Sequence, residues 1–260
     1  MNHAALLSQF DLRAQSQARA TSLQHLARDA GESRDAALAT WFGRMVNEYS
    51  SSRVFDALAD QMARAEFRDE LVSEVRAFAA EEREHGRLCG AVVEALGGEA
   101  RAAFRDEGSF PEHLDAASQR EAVLRNVLSV SCLSETVAVA LIGAEREEMP
   151  DGPLRELLTG IWSDEVGHAR FGWRLLSEYV PLLTDLEKHN LCRYLSVALV
   201  ALKEHELKHL PVDNVVPSNG AELGLCNGQD ARELFFETVR TAILPNLSAL
   251  GLRPLEVIPC

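Results

Sequence analysis

The chain has 260 residues, 47% of them apolar and 25% charged, enough to bury a substantial core as one domain. A formal charge of −14 and the lack of any Lys/Arg run argue against a phosphate-tracking surface, so no nucleic-acid partner is expected. The N-terminus has no basic region leading into an apolar core, and no segment approaches the apolar length of a membrane span, which predicts a cytoplasmic protein.

Long stretches rich in Ala, Leu, Glu and Arg, interrupted by a few Gly/Pro clusters, read as helices, and no Val/Ile/Thr alternation argues for a sheet. The fold class is therefore all-α. In chain order, an N-terminal helix runs from about Ala4 to Arg28 and breaks at Ala30-Gly31-Glu32-Ser33, with Ser33 or Asp35 as the cap of the next helix. The first bundle helix covers about Arg34 to Gln61, and the second about Glu66 to Leu96, stopped by Gly97-Gly98. A connection containing Gly108-Ser109-Phe110-Pro111 leads to the third helix, Ala117 to about Glu148. After the turn Met149-Pro150-Asp151-Gly152-Pro153, with Pro153 suited to a first helical turn, the fourth helix ends near Pro181. A fifth helix spans about Leu183 to His209, and a loop through Gln229 precedes a last one from about Ala231 to Leu250.

Within this scheme two copies of Glu-x-x-His stand out, Glu82-Arg83-Glu84-His85 and Glu165-Val166-Gly167-His168. Residues i and i+3 of a helix share one face, so a carboxylate and an imidazole so spaced can grip one ion. Each motif continues an apolar stripe: Val75, Phe78, Glu82, His85, Cys89, Val92 on one helix, and Leu158, Ile161, Glu165, His168, Gly172, Leu175 on the other. The helix before each motif carries a Glu in its own stripe. Glu48 falls among Trp41, Met45, Ser52 and Phe55, and Glu135 among Leu124, Leu128, Ser131, Val139 and Ile142.

Four buried carboxylates with two imidazoles need compensating positive charge, because an unpaired buried carboxylate costs several kcal/mol or a large pKa shift. Two divalent or trivalent cations would supply it. Each motif would give one metal two ligands, and Glu48 and Glu135, from the helices opposite, are the residues to examine for the bridging oxygens, with Glu82 as the alternative to Glu48. Carboxylate-rich coordination favours iron or manganese.

The order Glu, Glu-x-x-His, Glu, Glu-x-x-His, at intervals of 34, 53 and 30 residues, resembles the ligand motif of the ferritin-like diiron-carboxylate superfamily over roughly Asp35 to Val180. Carried over, Glu48, Glu82, His85, Glu135, Glu165 and His168 fill every ligand position, and Glu81 and Asp164, each just before a motif Glu, match positions that in this superfamily look like hydrogen-bond partners of the metal-bound imidazoles, Asp164 being the better candidate. The resemblance implies a single ferritin-like domain, 1–260, whose four-helix bundle (about 34–180) has a long crossover in its middle connection. The flanking helices, about 4–28, 183–209 and 231–250, are additions to that bundle. It also implies dioxygen activation at two iron ions, with a mixed Mn/Fe pair as a variant, and no catalytic residues beyond the metal centre. The segments Glu165 to Gly172 and Leu247 to Leu252 are similar in style to aldehyde deformylating oxygenases, acyl-carrier desaturases and arylamine N-oxygenases.

The extra helices and the small residues Ser52, Ser131 and Gly172 on the metal face favour an oxygenase or oxidase with room for an apolar or aromatic small-molecule substrate. Electrons would come from an external reductase or ferredoxin, since no flavin or iron–sulfur motif is present, and a monomer or homodimer is expected. The alternative is a ferroxidase or iron-handling protein, for which cage assembly would be the mark. Cys89, Cys132, Cys192, Cys226 and Cys260 form no Cys-x-x-Cys pair and predict no disulfide. Cys89, one turn beyond His85, reads as a small buried hydrophobe, where radical-generating relatives carry Tyr. His205 and His209 read as the solvated end of the fifth helix rather than as extra ligands.

Overall fold

The computed structural model describes residues 7–105, 110–212, 216 and 219–255. The expected helix start at Ala4, Gly108-Ser109 of the crossover and Cys260 lie outside them. Helices dominate: α1 (Arg13–Ala20), α2 (Leu26–Asp29), α3 (Arg34–Arg64), α4 (Asp69–Ala95), α5 (Gln119–Val127), α6 (Glu135–Glu148), α7 (Pro153–Tyr179), α8 (Asp185–His209), α9 (Gly228–Thr238) and α10 (Leu244–Ala249). Helix α5 passes into α6 through a π-helical segment, Leu128–Ser134, and α9 into α10 through another, Val239–Ile243.

The N-terminus corrects the expected helix. Strand β1 (Leu7–Asp11) pairs antiparallel with β2 (Arg101–Arg105), Phe10 facing Ala102, so an all-α chain carries one two-stranded sheet. The alternation in Phe10-Asp11-Leu12 is too short to separate strand from helix, and the deciding contact is distant. Phe10 stacks on Tyr49 of α3 with ring centroids 4.3 Å apart. Only the second part of 4–28 is helical, and Ser16 of α1 donates to the Arg87 carbonyl of α4 at 3.0 Å.

Several helix ends follow local chemistry. Gly97, at φ +83°, adopts the left-handed conformation that closes α4, and the Gly98 N–H reaches back to the Val93 carbonyl at 2.9 Å. Ser118 caps α5 by accepting from the Glu121 N–H, and Thr184 with Glu187 makes a capping box at α8. The cap expected for α3 is not made: Ser33 gives its hydroxyl to Asn219 Oδ1 at 2.5 Å, and neither it nor Asp35 caps the helix through its side chain.

Helix α3 packs along α4, and α6 along α7. The crossover between the pairs is tied down by a buried polar group at its far end. Arg125 bonds Glu121 at 2.6 Å and Asp115 at 2.9 Å, while Asn126 donates to the Pro111 carbonyl at 2.8 Å and to Gln61 Oε1 at 2.9 Å.

The expectation that no segment reaches membrane-spanning length is also corrected. The continuous helical stretch Gln119–Glu148 is long and apolar enough, with a mean hydropathy of 1.9 over its most apolar window, 44% of which is buried inside the protein. Val123, Leu124, Val127, Leu128, Leu133 and Val137 of that stretch pack in the core.

The core has two parts. One contains Phe55, Leu58, Val75, Phe78, Leu128, Cys132, Phe171 and Leu175, and extends to Leu195 and Phe235 of the flanking helices. The other contains Trp41, Met45, Cys89, Val92, Ile142, Leu158 and Ile161. On each of α3, α4, α6 and α7 the residues between the two parts are the Glu and His singled out from the sequence.

Gly172 sets the approach of α7 to the π-helical segment. A Cβ there would stand 2.5 Å from Ser131 Cβ and 3.0 Å from the Ser131 carbonyl carbon, neither of which can retreat without moving backbone. The space expected along these small residues is thus occupied by the helices' own contact. Gly172→Ala is expected to lower stability by about 1–3 kcal/mol through overpacking, read as a drop in the urea midpoint at unchanged slope.

Candidate metal centre

The polar layer is built from one helical turn on each of four helices. Glu48 comes from α3, Glu82 and His85 from α4, Glu135 from the first turn of α6, and Glu165 and His168 from α7. All six are at least nine-tenths buried. Their donor atoms form two overlapping groups, Glu48/Glu82/His85/Glu165 and Glu82/Glu135/Glu165/His168, and within each group the atoms lie within 4.8 Å of one another.

The residues common to both groups are Glu82 and Glu165, whereas the sequence pointed to Glu135 with either Glu48 or Glu82 as the bridging pair. The reason is that the motif helices face each other. Each motif Glu lies between the imidazole of its own helix and that of the opposite one: Glu165 Oε1 is 3.2 Å from His85 Nδ1, and its Oε2 is 3.0 Å from His168 Nδ1. Glu82 Oε1 lies 3.2 Å from His168 Nδ1. Glu48 approaches His85 Nδ1 to 3.5 Å from the side.

Both imidazoles turn Nδ1 inward and Nε2 outward. The outward nitrogens meet Asp164 and Glu81 in a crosswise arrangement: His85 of α4 bonds Asp164 of α7 at 3.0 Å, and His168 of α7 bonds Glu81 of α4 at 2.9 Å. A carboxylate there accepts the Nε2 proton and, once the ring is neutral, leaves the Nδ1 lone pair pointing at the centre. Asp164 and Glu81 are 45% and 41% exposed, so each links a buried imidazole to solvent.

Electrostatics show how much positive charge the layer demands. Burial, together with the neighbouring carboxylates of Glu165 and Glu48, raises Glu82 well above the usual carboxylate range. Burial with Glu165 and Glu82 does the same to Glu135. Burial pushes Glu165 up too, but His168 and His85 outweigh it and hold the group low. Burial pulls the imidazoles down, yet the carboxylates beside them win: Glu165 and Glu48 raise His85 to about 12, and Glu165 raises His168 to about 9.

Protons are thus drawn to atoms that could equally hold cations. Nδ1 of His85 is buried and close to two carboxylates, yet no acceptor is aligned for a hydrogen bond with it. A buried nitrogen without a hydrogen bond, among carboxylates that must otherwise share protons, fits a ligand atom for a metal ion.

Two features escaped the sequence. Arg44 of α3 pairs with Glu145 of α6 in a largely buried ion pair beside the layer, and Arg44 also lies 5.1 Å over the Trp41 ring. The signal was present: Arg44 follows Trp41 by three, and Glu145 follows Ile142 by three, so both border the stripes. The π-helical turn directly before Glu135 has no comparable signature. Cys89 is fully buried, and burial raises its thiol further. His205 and His209 are exposed at the end of α8 and belong to neither donor group.

Two surface cavities lie elsewhere. One of about 630 Å³ is lined by Arg19, Leu23, Leu88 and Leu157 among others, and one of about 220 Å³ by His25, Met149 and Leu223. Neither contains a residue of the polar layer. Comparison of the chain with protein-family models, with curated proteins and with solved structures gave no match.

Proposed function

We propose that the protein is a non-haem dinuclear iron oxidoreductase of the ferritin-like kind, an oxygenase or oxidase that uses dioxygen on a small apolar or aromatic molecule. What carries the reading is the pair of buried donor groups sharing Glu82 and Glu165, with His85 Nδ1 lacking any hydrogen bond. Glu48 and His85 would serve one ion, Glu135 and His168 the other, and Glu82 and Glu165 both. Two iron ions, or a manganese and an iron, would supply paired redox equivalents for dioxygen. The chain's own part is to fix the imidazole tautomers through Asp164 and Glu81, to keep bulk water away from the donors, and to adjust carboxylate positions. An external reductase or ferredoxin would deliver electrons.

Metal analysis after anaerobic Fe(II) loading, followed by oxygen-electrode measurement, tests the reading. Two irons per chain and dioxygen uptake are the expected result; a chain that holds no metal and consumes no dioxygen overturns it. Asp164→Ala is expected to weaken metal binding about 10–100-fold, measured by chelator competition, with little loss of stability because the side chain is half-exposed.

The iron-handling alternative is favoured by one observation. Ser131 and Gly172 of the metal face are taken up by a close helix contact, and the two described cavities lie away from the centre. A ferroxidase needs no organic pocket. Size-exclusion chromatography separates the readings, since an iron-storing cage assembles many chains and the oxygenase one or two.

A further inference from the structure

Helix α8 ends in His205-Glu206-Leu207-Lys208-His209, a His-Glu-x-x-His sequence outside the polar layer. Residues i and i+4 share one helix face. The two imidazoles stand side by side there, ring centroids 4.7 Å apart and planes inclined at 49°, on an exposed surface. We propose that His205 and His209 form a second, external metal site that chelates a borderline divalent cation such as Ni(II), Zn(II) or Cu(II) through two imidazole nitrogens.

The chemistry of the two sites differs. Imidazole nitrogen suits Cu, Ni and Zn, whereas a carboxylate-rich cage suits iron and manganese, so the external pair selects cations that the interior does not favour. The position helps as well. His209 is the last residue of α8, where the carbonyl ends of the helix favour a cation.

The same sequence pattern supports zinc peptidases when its Glu faces the metal and a third ligand completes the site. Here Glu206 is drawn into the protein, far enough that burial pushes its carboxyl up to about 7. Among the described residues no third Cys, His, Asp or Glu donor groups with the pair. The proposed role is therefore metal binding alone, through the two imidazoles.

The test uses the untagged full-length chain and Ni(II) as the probe, titrated by calorimetry. Wild type is expected to take up one more equivalent than His205→Ala/His209→Ala, with circular dichroism confirming unchanged helicity. Glu135→Ala, which alters only the interior, is expected to keep the external binding event. An unchanged Ni(II) stoichiometry in the folded double variant overturns the proposal, as does loss of the same event in Glu135→Ala.

Discussion

Glu135→Ala is expected to lose at least one of two metal ions per chain and all dioxygen consumption, while the metal-free protein stays folded. Glu135 is a buried member of the donor group that includes His168, and its carboxyl is pushed up by burial and by Glu165 and Glu82. Removing it withdraws a ligand and also relieves crowding among like charges. Affinity and metal-free stability should therefore part company, the first collapsing and the second holding or rising. Metal analysis after dialysis and thermal melts in chelator measure the two; retention of both ions with full dioxygen uptake would refute the assignment.

The second large effect is metal-linked stability that grows with pH. In the metal-free protein, His85 and His168 are raised to about 12 and about 9 from an ordinary 6.5. Their stabilising contribution is complete below 6.5 and is lost as pH climbs through the raised values. Glu82 and Glu135, raised by burial, act in the same direction. Glu165, held low, has the opposite sign and loses its contribution only in acid. Between pH 6.5 and 9 the metal-free protein should thus weaken as protons leave.

Metal ions replace those protons and bind deprotonated ligands, so the gap between loaded and stripped protein should widen over that interval. An ion present at one hundred times its Kd adds about 2.7 kcal/mol per site. Melting curves with Mn(II) and with EDTA at both ends of the interval give the comparison. A stripped protein that becomes more stable toward pH 9, with no metal-dependent shift, would sink the idea.

The polar layer was legible in the sequence because helical spacing alone puts Glu48, Glu82, His85, Glu135, Glu165 and His168 on their stripes, and all six meet in the core. The long helices were legible for the same reason, together with the Gly97 stop and the Pro153 start. Which carboxylates lie between the imidazoles was not, since it depends on how α4 and α7 face each other. The β1–β2 pair and the bond from Asn126 to Gln61 escaped because their partners lie far apart in sequence. The open space read from Ser131 and Gly172 failed for a related reason: small residues mark either a cavity or a close helix crossing, and only the packing tells which.

The crosswise bonds, Glu81 to His168 and Asp164 to His85, have a mechanical consequence. They work like two rungs between α4 and α7, each helix steadying the other's imidazole. Sliding one helix against the other by a single turn, about 5.4 Å, would break both rungs and misdirect both rings. The two rungs therefore oppose helix translation at this centre. On the proposed reading, rearrangement of the centre would draw on rotation of the carboxylate side chains within that frame.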